Sequence, residues 1–319
     1  MVIWGAIQKE QAYEPPLPCE TRSGASRYLA GPMPDAAAPW SALTVAQVRQ
    51  QSRLVASRSV QPLKIINPAA PAGPACHAVL ASYGGGLVAG DCIRLRVRCE
   101  EGSSLLLTTQ ANTRIFKSID GSRAEQLTEG HVAENALAVV LPDPLVPQAA
   151  SRYHQAQHWH LAESATLLLA DWWHAGRTDL GEQFAFTTFS TELKVSVAGR
   201  LTLLDRFALR PEEHLATSQA TFGPYHTALS LYLIGPPAGR QFQRLADALR
   251  RLPPAGQTDL HASLAGRPYV VAVTQARENV LVVRALGSSR LDLELVYQAV
   301  SAALAEPELL GFDVLQRKY

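Results

Sequence analysis

Residues 93–100 read IRLRVRCE. Ile93, Leu95, Val97 and Cys99 alternate with Arg94, Arg96, Arg98 and Glu100, the period of a strand with one buried and one wet face. On this reading the three arginines form a solvated strand face. Working outward, strand-like runs recur at 43–49, 60–66, 76–82, 104–110, 132–141, 152–161, 165–173, 183–190, 192–197 and 201–209. Their spacing of roughly ten residues, punctuated by turns such as Gly102 and Ala198-Gly199, predicts a mainly β body over 40–210, mostly antiparallel.

Helical periodicity comes late. In QFQRLADALRRLPP, Phe242, Leu245, Leu249 and Leu252 make one apolar stripe, and Pro253-Pro254 stops the helix. In SRLDLELVYQAVSAALAEP, Leu293, Val296, Val300 and Leu304 do the same, with Ser289 as N-cap three residues before Asp292. PYVVAVTQ and NVLVVRAL lie between as strands. The C-terminal part, 225–306, therefore reads β-α-β-β-α, a small α+β portion with two helices. Residues 1–39, rich in Pro, Ala and small polar residues, read as an extension, and 40–319 as a single domain.

The 319 residues carry 29 Lys plus Arg against 28 Asp plus Glu, which argues against a nucleic-acid binder driven by phosphate neutralisation. The four cysteines, Cys19, Cys76, Cys92 and Cys99, form no C-x-x-C and have no zinc-finger spacing, so the expectation is a reduced, cytoplasmic protein. The N-terminus has no basic region followed by a long apolar run, and no apolar stretch approaches the ~18 residues of a membrane span.

Just before the alternating strand stands SYGGGLVAGD, residues 82–91. Gly84, Gly86 and Ala89 match a dinucleotide fingerprint, and Gly85 and Gly90 the first half of a phosphate loop. The fingerprint needs a helix after its glycines, but a strand follows here. The phosphate loop needs Lys and Ser/Thr, but Asp91 and Cys92 stand there, and a carboxylate repels phosphate. A tight glycine turn between strands suffices, leaving Asp91 without a required role.

His154, His158 and His160 share one face of a strand, where an H-x-H pair can chelate a metal or simply be solvated. His77 stands on the strand before the glycine turn and reads most simply as a satisfied core-edge residue. Asp171 and Glu182 are spaced for two adjacent strands and could do acid–base work. No nucleophile elbow or H-E-x-x-H helix is present. From the residues alone, a β-rich binding module and a β-rich hydrolase or isomerase using Asp171 and Glu182 both stay open.

Several segments together are more specific. GGGLVAGD, then the alternating strand, then LLLTTQANTRIFKS resembles the G-G-L-V-G-G-D … L-L-T-T-Q-A-A-x-K-V-Y-R-S signature of the urease accessory protein UreD (UreH) family. LPDPLVPQAASRYHQ, LLLADWWHAGRTDLGEQFAF and RLTLLDRFAL resemble further segments of that family in the same order, over about residues 40–210. Tyr83 stands where the family has Pro, Gln148 where it has Phe, and the usual P-R-x-W ending is missing.

The resemblance implies a non-enzymatic scaffold with a β-helix-like body and a few helices. It implies UreF, the GTPase UreG and the urease apoprotein as partners in a hetero-oligomeric complex, with neither nucleic acid nor membrane involved. It implies no permanently bound cofactor but transient Ni²⁺, passed through an interior tunnel to the urease. Asp91 and Glu182 match acidic motif positions and are the first residues expected along a nickel path, followed by Asp171 and His77. Oxygen ligands with at most one imidazole hold a divalent ion weakly, which suits transit. A family member acting only as an interaction module is the further alternative.

Overall fold

In the computed structural model the described residues open with an antiparallel hairpin of β1 (Ser41–Val48) and β2 (Gln51–Arg58), followed by β3 (Leu63–Ile66), β4 (Cys76–Ser82) and the short β5 (Gly86–Leu87). Residues 39–68, 73–213, 216–218, 221–252 and 266–314 are described. Residues 1–38, with Cys19 and most of the expected extension, and Pro253-Pro254 lie outside the described residues.

Three successive coils follow. β6 (Cys92–Cys99) turns into β7 (Ser104–Thr109), after which comes β8 (Thr113–Ile115). β9 (Ala124–Val132) turns into β10 (Leu137–Leu141), followed by β11 (Leu145–Pro147). β12 (Arg152–Leu161) turns into β13 (Thr166–His174). The chain closes with β14 (Thr188–Val197), β15 (Arg200–Leu209), β16 (Thr227–Ile234), α1 (Arg240–Arg250), β17 (Tyr269–Arg277), β18 (Val280–Gly287) and α2 (Glu294–Leu304).

The first strand of each coil joins one sheet, ordered β15-β14-β12-β9-β6-β1-β2, and the second joins another, whose main path is β17-β18-β16-β13-β10-β7-β4-β3. Through the middle of both sheets the pairing is parallel: β1–β6–β9–β12–β14 in the first and β4–β7–β10–β13 in the second. The body is thus a β-solenoid, agreeing with the β-helix-like expectation and correcting the mostly antiparallel one. Antiparallel pairs occur toward the sheet ends, as in β1–β2, β14–β15 and β16–β18.

Turn length separates the two cases. Ala198 and Gly199, both at positive φ, join β14 to β15 as a two-residue hairpin loop. The coil corners instead span residues 100–103, 133–136 and 162–165, with positive φ at Gly102 and Asn135. Such a corner delivers the chain to the other sheet, and each corner hydrogen-bonds to the next. Gly102 N donates to Glu134 O (2.9 Å), Leu137 N to Ser103 O (2.9 Å) and Thr166 N to Ala136 O (2.9 Å).

The two sheets differ in what covers them. The outer face of the first is wet, so β12 alternates buried Tyr153, Trp159 and Leu161 with outward His154, His158 and His160. The outer face of the second carries α1 and α2, whose Phe242, Leu245, Val296 and Val300 pack against Leu106, Val139, Leu168 and Leu231. Strands covered on both faces read as continuous apolar runs. Accordingly β10 (LAVVL) and β16 (TALSLYLI) are buried at every position.

Individual strands also depart from the expected bounds. Residues 132–141 take in only the last residue of β9, a corner and β10, so most of β9 lies outside the expected strands. The run 183–190 contributes only residues 188–190 to β14, which continues through 192–197. Arg94 is buried at 7% exposure, so the solvated arginine face holds only for Arg96 and Arg98. The expected cap of α2 forms one turn earlier. Ser289 Oγ donates to Asp292 Oδ2 (2.9 Å) and Asp292 N to Ser289 Oγ (3.4 Å), ahead of a 3₁₀ turn at Leu291–Leu293. Among the described residues no helix is long and apolar enough to cross a membrane.

Candidate functional site

Parallel strands place all their carboxyl ends on one side. In the second sheet this gathers the end of β4 (80–82) with Gly85, 110–114 after β7, Asp143 after β10, and His174 at the end of β13 with 176–180 after it, around one open cleft of about 1200 Å³. They come from the segments LASYGG, QANTR, LPDP and HAGRTDL, far apart in sequence and adjacent only through the solenoid. Arg290 and Leu291, before α2, complete the wall. Arg114 and Arg290 are exposed there, and the Arg290 guanidinium lies 5.9 Å from the Trp172 ring. His174 also lines the cleft. Burial, with help from Arg290, pushes its imidazole down to about 4, so it is neutral at ordinary pH.

The glycine stretch stands at this cleft without a phosphate site. Tyr83–Gly85 form a 3₁₀ turn and Gly86–Leu87 a short strand paired with β8. The next element is β6, not a helix.

Behind the cleft, between the sheets, lies a narrow cavity of about 50 Å³, room for a few waters. Leu80, Thr113 and Asp143 line both spaces, so the cleft floor adjoins the cavity. The cavity wall mixes apolar side chains, among them Leu95, Leu107, Val140 and Leu145, with polar ones. Gln126, Gln155, Gln157, Thr109 and Asp171 face it, and Gln126, Gln155 and Thr191 stand in register on β9, β12 and β14. Tyr153 Oη lies 3.1 Å from both Gln126 Oε1 and Gln155 Oε1, and Trp159 Nε1 donates to Gln157 Oε1 (3.3 Å). Asp143 accepts from Thr109 Oγ1 (3.0 Å), and its own amide donates back to that oxygen (2.6 Å).

Asp171 is enclosed by protein, and the surface it shows is cavity wall. Burial, reinforced by nearby Asp205, pushes its carboxyl up to about 6, while Thr191, Arg284 and Gln155 oppose the rise. Asp205 accepts from Arg284 Nη2 (2.6 Å) and from Tyr232 Oη, and Arg284 Nη1 donates to Tyr232 Oη (2.8 Å) and Ser230 Oγ (2.7 Å). Asp143 and Asp171 thus share one cavity, and the half-buried Asp205–Arg284 pair lies close enough to Asp171 to act on it electrostatically.

The description "UreD urease accessory protein" matches residues 40–318 of the chain. The chain belongs to the UreD family. It is 32% identical over 277 residues to a urease accessory protein UreD of Cytophaga hutchinsonii, covering 86% of this chain and 95% of that one. A urease accessory protein UreD of Sorangium cellulosum is 38% identical over 202 residues, 63% of this chain and 62% of its own. A urease accessory protein D of Oryza sativa subsp. indica is 29% identical over 224 residues, 69% and 72% of the respective chains.

In this UreD-family chain the four residues expected along a nickel path have separate surroundings. Asp171 faces the cavity. Asp91 closes its own turn, accepting from Val88 N (2.8 Å) while its amide donates to Val88 O (3.0 Å). Glu182 accepts from Arg177 Nε (2.9 Å), is ion-paired to that guanidinium and receives Ala149 N (3.3 Å); Arg177 holds it below the usual carboxylate range. His77 is buried on the helix-covered side, its Nε2 hydrogen-bonded with Thr108 Oγ1 (3.0 Å) and its ring 6.3 Å from Phe312. Among the described residues no group of three or more His, Cys, Asp and Glu is placed to hold a metal ion. Asp171 lies on β13, whereas Glu182 lies in the segment between β13 and β14 rather than on an adjacent strand.

Sequence reasoning passed over Asp143, Gln126, Gln155, Gln157, Asp205 and Arg284. For two of them the signal was present: Gln155 and Gln157 have the parity of buried Tyr153, Trp159 and Leu161. Polar residues on a core parity need partners or a cavity.

Proposed function

We propose that this chain is the scaffold on which UreF and the GTPase UreG act on apo-urease, and that nickel bound for the urease active site passes through its interior. Membership of the UreD family gives the coarser role, urease maturation. The observation that carries the finer reading is the shared wall of Leu80, Thr113 and Asp143, where an open cleft adjoins a cavity whose partly apolar lining includes three carboxamides and two carboxylates. Oxygen donors of this kind bind a divalent ion loosely enough to release it. Asp143 and Asp171 are the acids along this route. Asp91 and Glu182 shape it indirectly, by holding their turns.

The test is activation of apo-urease by the UreF- and UreG-containing complex, with urease nickel content read directly. Asp143→Asn is expected to lower nickel content while UreF still co-purifies with the chain. Undiminished nickel loading would overturn the route. Failure of wild-type chain to co-purify with UreF would overturn the scaffold reading itself.

A further inference from the structure

The outer face of the first sheet carries a second arrangement, independent of the cleft. In-register parallel pairing lines residues up in rows across the strands. One row is Arg98, His131, His160 and Ser196, and the next is Arg96, Glu129, His158 and Lys194. Most charged members of these rows are matched. Arg96 pairs with Glu129 (2.8 Å), Arg98 with Glu100 (3.7 Å), and His158 and Lys194 both with Glu192 (3.2 and 2.7 Å). His154 is occupied by Ser190 Oγ (3.0 Å). The three β12 histidines singled out by their common face therefore do not act together.

His160 has a different neighbour, His131 on β9. The two rings stack with centroids 5.0 Å apart and planes 20° from parallel. Both residues are exposed, and among the described residues neither ring is hydrogen-bonded. Partial burial and then His160 itself hold His131 below its ordinary value. The pair lines a shallow open pocket with Arg98, Glu100, Ala133 and Ala162, where Arg98 is ion-paired with Glu100. That pocket sits beside the coil corners, at the opposite end of the strands from the cleft.

We propose that His131 and His160 form a two-imidazole site for a late first-row divalent cation. Face-to-face rings do not yet converge on one point. Rotation about the soft χ2 torsion of two exposed side chains aims one nitrogen from each at a common ion, with water or a partner's donor completing the shell. Imidazole suits Cu²⁺, Ni²⁺ and Zn²⁺, with Cu²⁺ the tightest, whereas Mg²⁺ prefers oxygen.

The full-length chain, stripped of metal with a chelator and dialysed, is titrated separately with Cu²⁺, Ni²⁺, Zn²⁺ and Mg²⁺ against a chromophoric competitor. The quantity read is metal bound by wild type minus metal bound by the His131→Ala/His160→Ala double variant. One equivalent of Cu²⁺, Ni²⁺ or Zn²⁺, and none of Mg²⁺, supports the site. Both substitutions are at exposed positions, and an unchanged circular dichroism spectrum verifies the fold. His158→Ala and His154→Ala should retain the equivalent. No difference between wild type and the double variant overturns the proposal, as does loss of the equivalent in His158→Ala.

Discussion

Asp171 shows how much one buried residue can set. An acid whose pKa is raised to about 6 keeps its proton in the folded chain at pH values where the unfolded chain has lost it. Between the unfolded value near 4 and about 6 the folded state holds more protons, so stability falls as pH climbs through this window. Above it, the cost of an ionised carboxylate in the interior is fully present. Asp171→Asn keeps the shape and removes the charge. It should be more stable than wild type at pH 7.5 by up to ~3 kcal/mol, the gain shrinking toward pH 4.5. Urea unfolding at several pH values measures this; a pH-independent difference would mean that Asp171 does not titrate in the window. The same variant should impair urease activation, because a site kept at a cost to stability is kept for another reason. Asp143 was legible in the LPDP segment only as part of a resemblance. Nothing local says that the acid after β10 lies on a cleft floor, because the partners that make it one come from other coils.

At the level of elements, the strands were readable and their pairing was not. Alternation in IRLRVRC and RYHQAQHWHL marks a sheet with one wet face, and continuous runs in LAVVL and TALSLYLI mark one covered on both sides. Turn residues such as Gly102 report a positive φ, not the strand that pairs next. The discriminating feature is length: two residues at Ala198-Gly199 make a hairpin, while the longer corners cross to the other sheet. The small residue opposite Trp159 follows from the same stacking. A Cβ on Gly130 would meet the Trp159 ring at 2.1 Å, and Trp159 is fully buried. Gly130→Ala should cost ~1–3 kcal/mol by overpacking, read as a lower urea midpoint with an unchanged slope. Farther along, Arg284 neutralises Asp205 across the two sheets, joining β18 to β15. Arg284→Ala should cost ~1–3 kcal/mol by leaving a half-buried carboxylate with Tyr232 Oη as its remaining partner. The Arg284→Ala/Asp205→Asn pair should recover part of that loss, and no recovery would show that Arg284 acts through packing instead.

On the scale of the whole molecule, parallel coiling converts sequence order into a surface. Segments dozens of residues apart arrive at one end because every strand of the coil series points the same way in its sheet. Antiparallel pairing would have scattered alternate motifs to opposite ends. The cleft they build carries exposed apolar side chains as well as arginines. Leu180 is 70% and Leu291 72% exposed on its wall, and Tyr83, beside it, is 55% exposed. Exposed apolar side chains around a polar floor suit docking of another protein. Leu180→Glu and Leu291→Glu replace solvent-facing side chains, so the thermal midpoint of the isolated chain should stay within a degree or two. Co-purification with UreF should nonetheless fall steeply. Leu201, 55% exposed on the edge strand β15 and outside the cleft, is the matched control. If Leu201→Glu weakens co-purification and the cleft variants do not, the partner docks along the first sheet's edge, and the cleft has to be read as open to solvent in the assembled complex.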